Sequence, residues 1–136
     1  MRRAVLDDVP AVTTLASDAY RLDPEHVAVV VQHAVTSRLA IDFWLLEDDG
    51  EAVSTVQTHR TGETVSLWTM ATPPPMQRRG YGRALLGGVL RWAAQDGATV
   101  GLLGATPAGE PLYRSTGWRV IDDWEIHLNA PSTQFG

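Results

Sequence analysis

The segment from Met70 to Leu86 constrains this chain more than any other. An apolar, strand-like stretch ends at Pro73-Pro74-Pro75, and proline cannot donate to a strand ladder. The turn Gln77-Arg78-Arg79-Gly80-Tyr81-Gly82 follows, and apolar residues at helical spacing then begin. A turn of this composition at a helix start suits a phosphate-bearing ligand. It combines unpaired backbone N–H groups, the positive end of the helix dipole and mobile guanidinium groups. The segment implies a strand–turn–helix unit, and a pyrophosphate as the ligand if the turn is used.

Composition removes several chemistries. All 11 basic residues are arginine, so neither a lysine Schiff base nor a phosphate-loop lysine is available. Cysteine is absent, which excludes disulfides, thiolate metal sites and a cysteine nucleophile. A net charge of −5 argues against broad binding to nucleic acid or anionic membrane, and better suits a neutral or cationic substrate. No segment approaches the roughly 20 apolar residues of a membrane span. Arg2-Arg3 has no apolar stretch behind it, so no export signal is read and the cytoplasm is the expected compartment. The 136 residues suffice for one domain, expected over 1–129 with a tail at 130–136.

The elements follow from periodicity and punctuation. Arg2 to Val5 is read as a short strand. Asp7-Asp8-Val9-Pro10 reads as a helix start with an acidic cap, and Asp23-Pro24-Glu25 opens a second helix. Ile41 to Leu46, Ala52 to Arg60 and Thr64 to Thr72 read as three strands in a meander. Its first turn is built on Asp49-Gly50, a pair that tolerates positive φ. Arg83 to Gln95 is a helix burying Leu85, Leu86, Val89, Leu90, Trp92 and Ala93. Gly87-Gly88 within it costs about 1 kcal/mol per glycine, so close packing against a strand is expected there. Ala98 to Ala105 reads as a buried parallel strand, and Leu112 to Thr116 as a short helix stopped by Gly117. Trp118 to Asp123 and Trp124 to Leu128 are expected to be strands. The order β-α-α-β-β-β-α-β-α-β-β gives an α/β fold, a mixed sheet with an antiparallel meander followed by a βαβ crossover.

Two common phosphate motifs fail on the turn. The dinucleotide fingerprint needs a third glycine where Leu85 stands, and the nucleotide-hydrolase loop needs lysine. Gln77 to Gly82 instead resembles the Gln/Arg-x-x-Gly-x-Gly/Ala signature of the GNAT superfamily of N-acetyltransferases. Leu112-Tyr113-Arg114-Ser115-Thr116-Gly117-Trp118 is similar to that family's second signature, Leu-Tyr-x-x-x-Gly-Phe. The motifs stand in the family's order and at about its usual separation, so the resemblance covers nearly the whole chain.

The resemblance implies acetyl-CoA as donor and splayed central strands between which it enters. Gln77, Arg78, Arg79, Gly80, Tyr81, Gly82 and Arg83 would hold the pyrophosphate. Met70, Ala71 and Thr72 would pair with the pantetheine arm as an added strand does. The Met70 N–H would donate to the thioester carbonyl and its oxyanion. Tyr113 would protonate the departing thiolate, a role a neutral phenol can fill at pH 7, or would only close the site with its ring. Thr106 stands where relatives often carry asparagine, and Ser66 near where many carry a glutamate base. The base is therefore open among Ser66 through a water, His59 and Glu63. Trp68 alternates with Ser66 and Met70, which predicts that the three share a face; Trp68 either lines an acceptor pocket or packs in the core.

The expected function is transfer of acetyl from acetyl-CoA to a primary amine by direct attack. A non-catalytic acyl-CoA sensor is the alternative, and a scaffold for protein interaction a weaker third. The expected partners are a small-molecule or peptide amine, with a homodimer open and neither nucleic acid, membrane nor metal involved.

Overall fold

A computed structural model describes residues 1–37 and 39–125. Among these residues, five strands form one open sheet in the order β1-β2-β3-β4-β5. They are β1 (Arg2–Arg3), β2 (Ile41–Asp48), β3 (Glu51–Thr61), β4 (Thr64–Ala71) and β5 (Val100–Leu103). The first four are mutually antiparallel, and β5 joins β4 in parallel through a helical crossover. The helices are α1 (Val9–Tyr20), α2 (Pro24–Thr36), α3 (Tyr81–Gln95) and α4 (Glu110–Ser115). This is the mixed sheet that the element order predicts.

Alternation along β2 divides the core between two faces. Phe43 and Leu45 pack with Val12 and Leu15 of α1 and Val31 and Ala34 of α2. Trp44 points the other way and joins Val65 and Leu67 of β4, Leu85, Leu86 and Val89 of α3, and Tyr113 of α4. The Arg3 guanidinium lies 5.0 Å from the Trp44 ring centroid and 5.1 Å from that of Trp92, closing this core at the β1 side. The β2–β3 turn forms at Asp49 (φ 52°) and Gly50 (φ 77°), the pair of positive φ values that suits a tight hairpin.

Several expectations need correction. Helix α1 does begin at Val9, but Asp8 does not cap it. Its carboxylate accepts the Val5 N–H at 2.8 Å and holds Arg2 with bonds of 2.7 and 2.8 Å. Helix α3 starts at Tyr81, two residues before the expected Arg83. Its glycines do not pack on a strand: a Cβ at Gly88 would meet the Met1 thioether, and one at Gly87 would meet nothing within 4 Å.

Strand β5 is parallel but not buried. Val100 and Leu102 are 48% and 45% exposed, because β5 is the edge of the sheet among the described residues. An apolar run looks the same in sequence at an edge and in the middle. The strand expected over Trp118 to Asp123 is absent, and Trp124 and Glu125 are likewise outside any strand. Trp118 turns inward instead, its indole occupying the space beside Gly101. The rest of the expected last strand, and the tail at 130–136, lie outside the described residues.

Candidate active site

Strands β4 and β5 pair from Thr64/Val100 to Leu67/Leu103, where β5 ends, while β4 continues to Ala71. On its other side β4 carries a bulge. Gln57 stands opposite Trp68 and Thr55 opposite Ala71, so Thr69 and Met70 face one residue of β3. Thr69 takes φ +46°, a conformation costly for a β-branched side chain. Its hydroxyl is buried without a hydrogen-bond partner.

The bulge resets the alternation, which corrects the expected common face of Ser66, Trp68 and Met70. Ser66 and Trp68 do share a face, and the Trp68 Nε1 donates to Ser66 Oγ at 2.9 Å. Met70 turns to the opposite face and packs against the Trp44–Leu85–Tyr113 core.

Two tyrosines fix Met70. Tyr20, the last residue of α1, donates its hydroxyl to the Met70 carbonyl at 2.5 Å. Tyr113, held by α4, brings its hydroxyl 3.6 Å from the Met70 Sδ. Burial pushes both phenols upward; Tyr20 reaches about 12, with the Tyr113 charge as a second cause. Each is therefore protonated at neutral pH. Tyr20 was missed in the sequence because a tyrosine at a helix end carries no motif, and only the bulge opposite gives it a partner.

The strand end and the turn are held together by side chains. Ser54 Oγ bonds the Ala71 carbonyl at 3.1 Å and the Thr72 hydroxyl at 2.9 Å. The Gln77 amide donates to the Thr72 carbonyl at 2.9 Å, so Gln77 shapes the turn from within. Arg78 (φ 62°) and Gly80 (φ 82°) both take left-handed conformations, and Gly80 caps α3. The first backbone bond of α3 runs from the Ala84 N–H to the Gly80 carbonyl. The N–H groups of Tyr81, Gly82 and Arg83 thus have no intrahelical acceptor and point out of the helix start.

The arginines of the turn differ in their engagement. Arg78 and Arg79 are exposed and form no ion pair among the described residues, whereas Arg83 donates to Ser115 Oγ at 2.9 Å and ties α3 to α4. The Tyr81 hydroxyl donates to the Asp48 carboxylate, which raises the phenol's pKa. Glu47 and Asp48 are exposed, yet both are engaged. They end β2, Glu47 pairing with Arg2 and Asp48 with Tyr81.

Thr106 accepts the Gly109 N–H at 3.2 Å through its hydroxyl, organising the approach to α4. Of the candidate bases, Ser66 accepts from Trp68, and His59 stands exposed opposite it in the register. Glu63 lies in the β3–β4 turn, seven residues along the strand from Met70, roughly 20 Å at strand rise. Among the described residues there is no cluster of side chains able to hold a metal ion and no helix long and apolar enough to cross a membrane.

These features coincide with a known family. Residues 9–118 match the model of the acetyltransferase (GNAT) family, and the chain belongs to that family. It is 32% identical over 121 residues to a mycothiol acetyltransferase of Nocardiopsis dassonvillei. That match covers 85% of this chain but only 36% of the relative, so the chain spans about a third of the relative's length. Among solved structures it is similar to a GCN5-related N-acetyltransferase from Ralstonia eutropha, with a TM-score of 0.77, 17% identity and coverage of 95% and 97% of the two chains. A predicted acetyltransferase from Clostridium acetobutylicum, solved with acetyl-CoA, gives a TM-score of 0.73, 17% identity and 94% coverage of each chain. These likenesses carry the fold.

Proposed function

We propose that this chain is an acetyl-CoA-dependent N-acetyltransferase acting on a primary amine by direct attack in a ternary complex. The observation that carries the reading is the end of the β4–β5 ladder at Leu67 and Leu103, which leaves the last residues of β4 without a strand on that side among the described residues, beside a helix start with unpaired N–H groups. Such an edge accepts an extended pantetheine-like arm as an added strand. The helix start suits its pyrophosphate, with Arg78 and Arg79 available to it.

Each residue then has a task. The amides from Arg78 to Arg83 hold the pyrophosphate, and Gln77 fixes the turn. Met70, Ala71 and Thr72 offer backbone to the arm; the Thr72 carbonyl is already taken by Gln77, so Thr72 contributes its N–H. The Met70 N–H donates to the thioester carbonyl and strengthens that bond as the oxyanion forms. Thr106 positions α4 and hence Tyr113. With no cysteine in the chain, the acetyl group passes straight to the amine. The amine's C–N bond forms, the C–S bond breaks, and Tyr113 protonates the leaving thiolate. The proton of the incoming ammonium leaves to water at Ser66 or to His59, both on the Trp68 side of β4.

One observation favours a second reading, a non-catalytic acyl-CoA-binding module: the only carboxylate proposed as base, Glu63, lies at the far end of β4. Release of free CoA thiol across a panel of amines separates the two. The transferase reading expects amine-dependent release, with kcat in Tyr113→Phe reduced about 10²- to 10⁴-fold. Full kcat in that variant across pH removes Tyr113 as the acid. CoA binding with no release from any amine favours the sensor.

A further inference from the structure

We propose that Trp68 and Trp124 form the recognition wall for the acceptor, and that the acceptor is a small amine carrying a second ammonium group. This rests on the acetyl-transfer reading above. Trp68 leaves β4 immediately before the bulge, on the face opposite Met70 and Tyr113. Trp124 is seated at Gly104, the residue after β5, where a Cβ would come within 3.1 Å of its indole. The rings meet edge to face with centroids 6.4 Å apart. Trp68 thus stands on β4, and Trp124, outside any strand, lies against the residue that follows β5, so the pair spans the point where the β4–β5 ladder stops.

This face is where the amine must arrive. The leaving thiolate and its acid occupy the Tyr113 side, so the nucleophile has the Trp68 side. Both rings are open to a ligand, Trp68 being 41% and Trp124 61% exposed. The Trp68 bond to Ser66 fixes its ring orientation.

The chemistry of the wall selects a cation. Indole faces attract ammonium groups. Asp122, Asp123 and Glu125 bracket Trp124 and are exposed, with Arg119 the one basic residue in that stretch. The reacting amine must be neutral to attack, so a cation-selective wall is matched by a second ammonium that stays charged. The same carboxylates disfavour acceptors that carry a carboxylate of their own. Beside the wall, a cleft of about 260 Å³ is lined by Val29, Val30, His33, Ala34, Ile41 and Gln57. Gln57 stands opposite Trp68 in the register, and the cleft's apolar lining suits a methylene chain between two amines.

Calorimetric titration of the full chain, saturated with CoA, with putrescine and n-butylamine tests this without requiring turnover. Putrescine is expected to bind about tenfold more tightly. Trp68→Ala and Trp124→Ala should each weaken putrescine roughly 2- to 30-fold, with Trp68→Phe recovering most of the loss and unfolding curves confirming that the variants are folded. Equal affinity for the two amines, no binding of either, or equal weakening of both in Trp68→Ala overturns the proposal. Selective putrescine binding without thiol release from acetyl-CoA instead overturns the transferase reading and leaves the aromatic site standing.

Discussion

Removing one oxygen atom, in Tyr20→Phe, tests whether α1 holds the β4 bulge in place. The Tyr20 hydroxyl donates to the Met70 carbonyl at 2.5 Å in a partly buried setting. A neutral hydrogen bond contributes about 0.5–1.5 kcal/mol net, and leaving a buried acceptor unpaired adds to the loss. The expected destabilisation is about 1–2 kcal/mol. For a chain of 136 residues, each kcal/mol moves Tm by about 3–4 °C, so a fall of roughly 3–8 °C is expected. The variant also has a pH signature. Burial raises the Tyr20 phenol from its ordinary 10 to about 12. The folded state therefore holds the proton that the unfolded chain releases. The linked stability is fully present below pH 10 and is lost as pH rises through 12. Urea melts between pH 8 and about 12 should show this decline in the wild-type chain and a shallower one in Tyr20→Phe. A Tm within about 1 °C of wild type, with an unchanged alkaline slope, would refute the bond and the role given to it.

Other substitutions probe the same framework. Thr69→Val keeps a β-branched side chain at φ +46° and deletes the buried, unpartnered hydroxyl, so a gain of about 1 kcal/mol is expected in urea unfolding; a loss would mean that the hydroxyl has a partner in solution. Gly87→Ala places a methyl where nothing lies within 4 Å, and should raise stability by about 0.5–1 kcal/mol through helix propensity alone. A destabilised Gly87→Ala would show that α3 needs flexibility there.

The meander, the crossover and the turn of residues 77–82 were legible because each is written in local chemistry. Asp49-Gly50 marks a hairpin, Pro73 to Pro75 end a strand, and Leu85, Leu86 and Val89 recur at helical spacing. The site was legible only as a pair of motifs. The bulge at Thr69 was not, because nothing local distinguishes a threonine in a left-handed conformation from one in a regular strand. Missing it reversed the face assigned to Met70, since one extra residue inverts the alternation of all that follow. The partners of Tyr20 and Asp48 were not legible for a related reason. Each acts through a partner fifty or thirty-three residues away, a pairing that only the folded sheet creates. The exposure of β5 depends on what stands beside it, which its own apolar residues cannot report.

Acetyl transfer as proposed requires that the edge of β4 after Leu67 and the turn from Arg78 to Arg83 together bind acetyl-CoA. Calorimetric titration of the chain with acetyl-CoA measures this directly. One site per chain is expected, weakened at least tenfold in Arg78→Glu/Arg79→Glu, with affinity falling as salt rises. An absence of heat at millimolar acetyl-CoA, or an affinity that ignores both charge reversals, would contradict it.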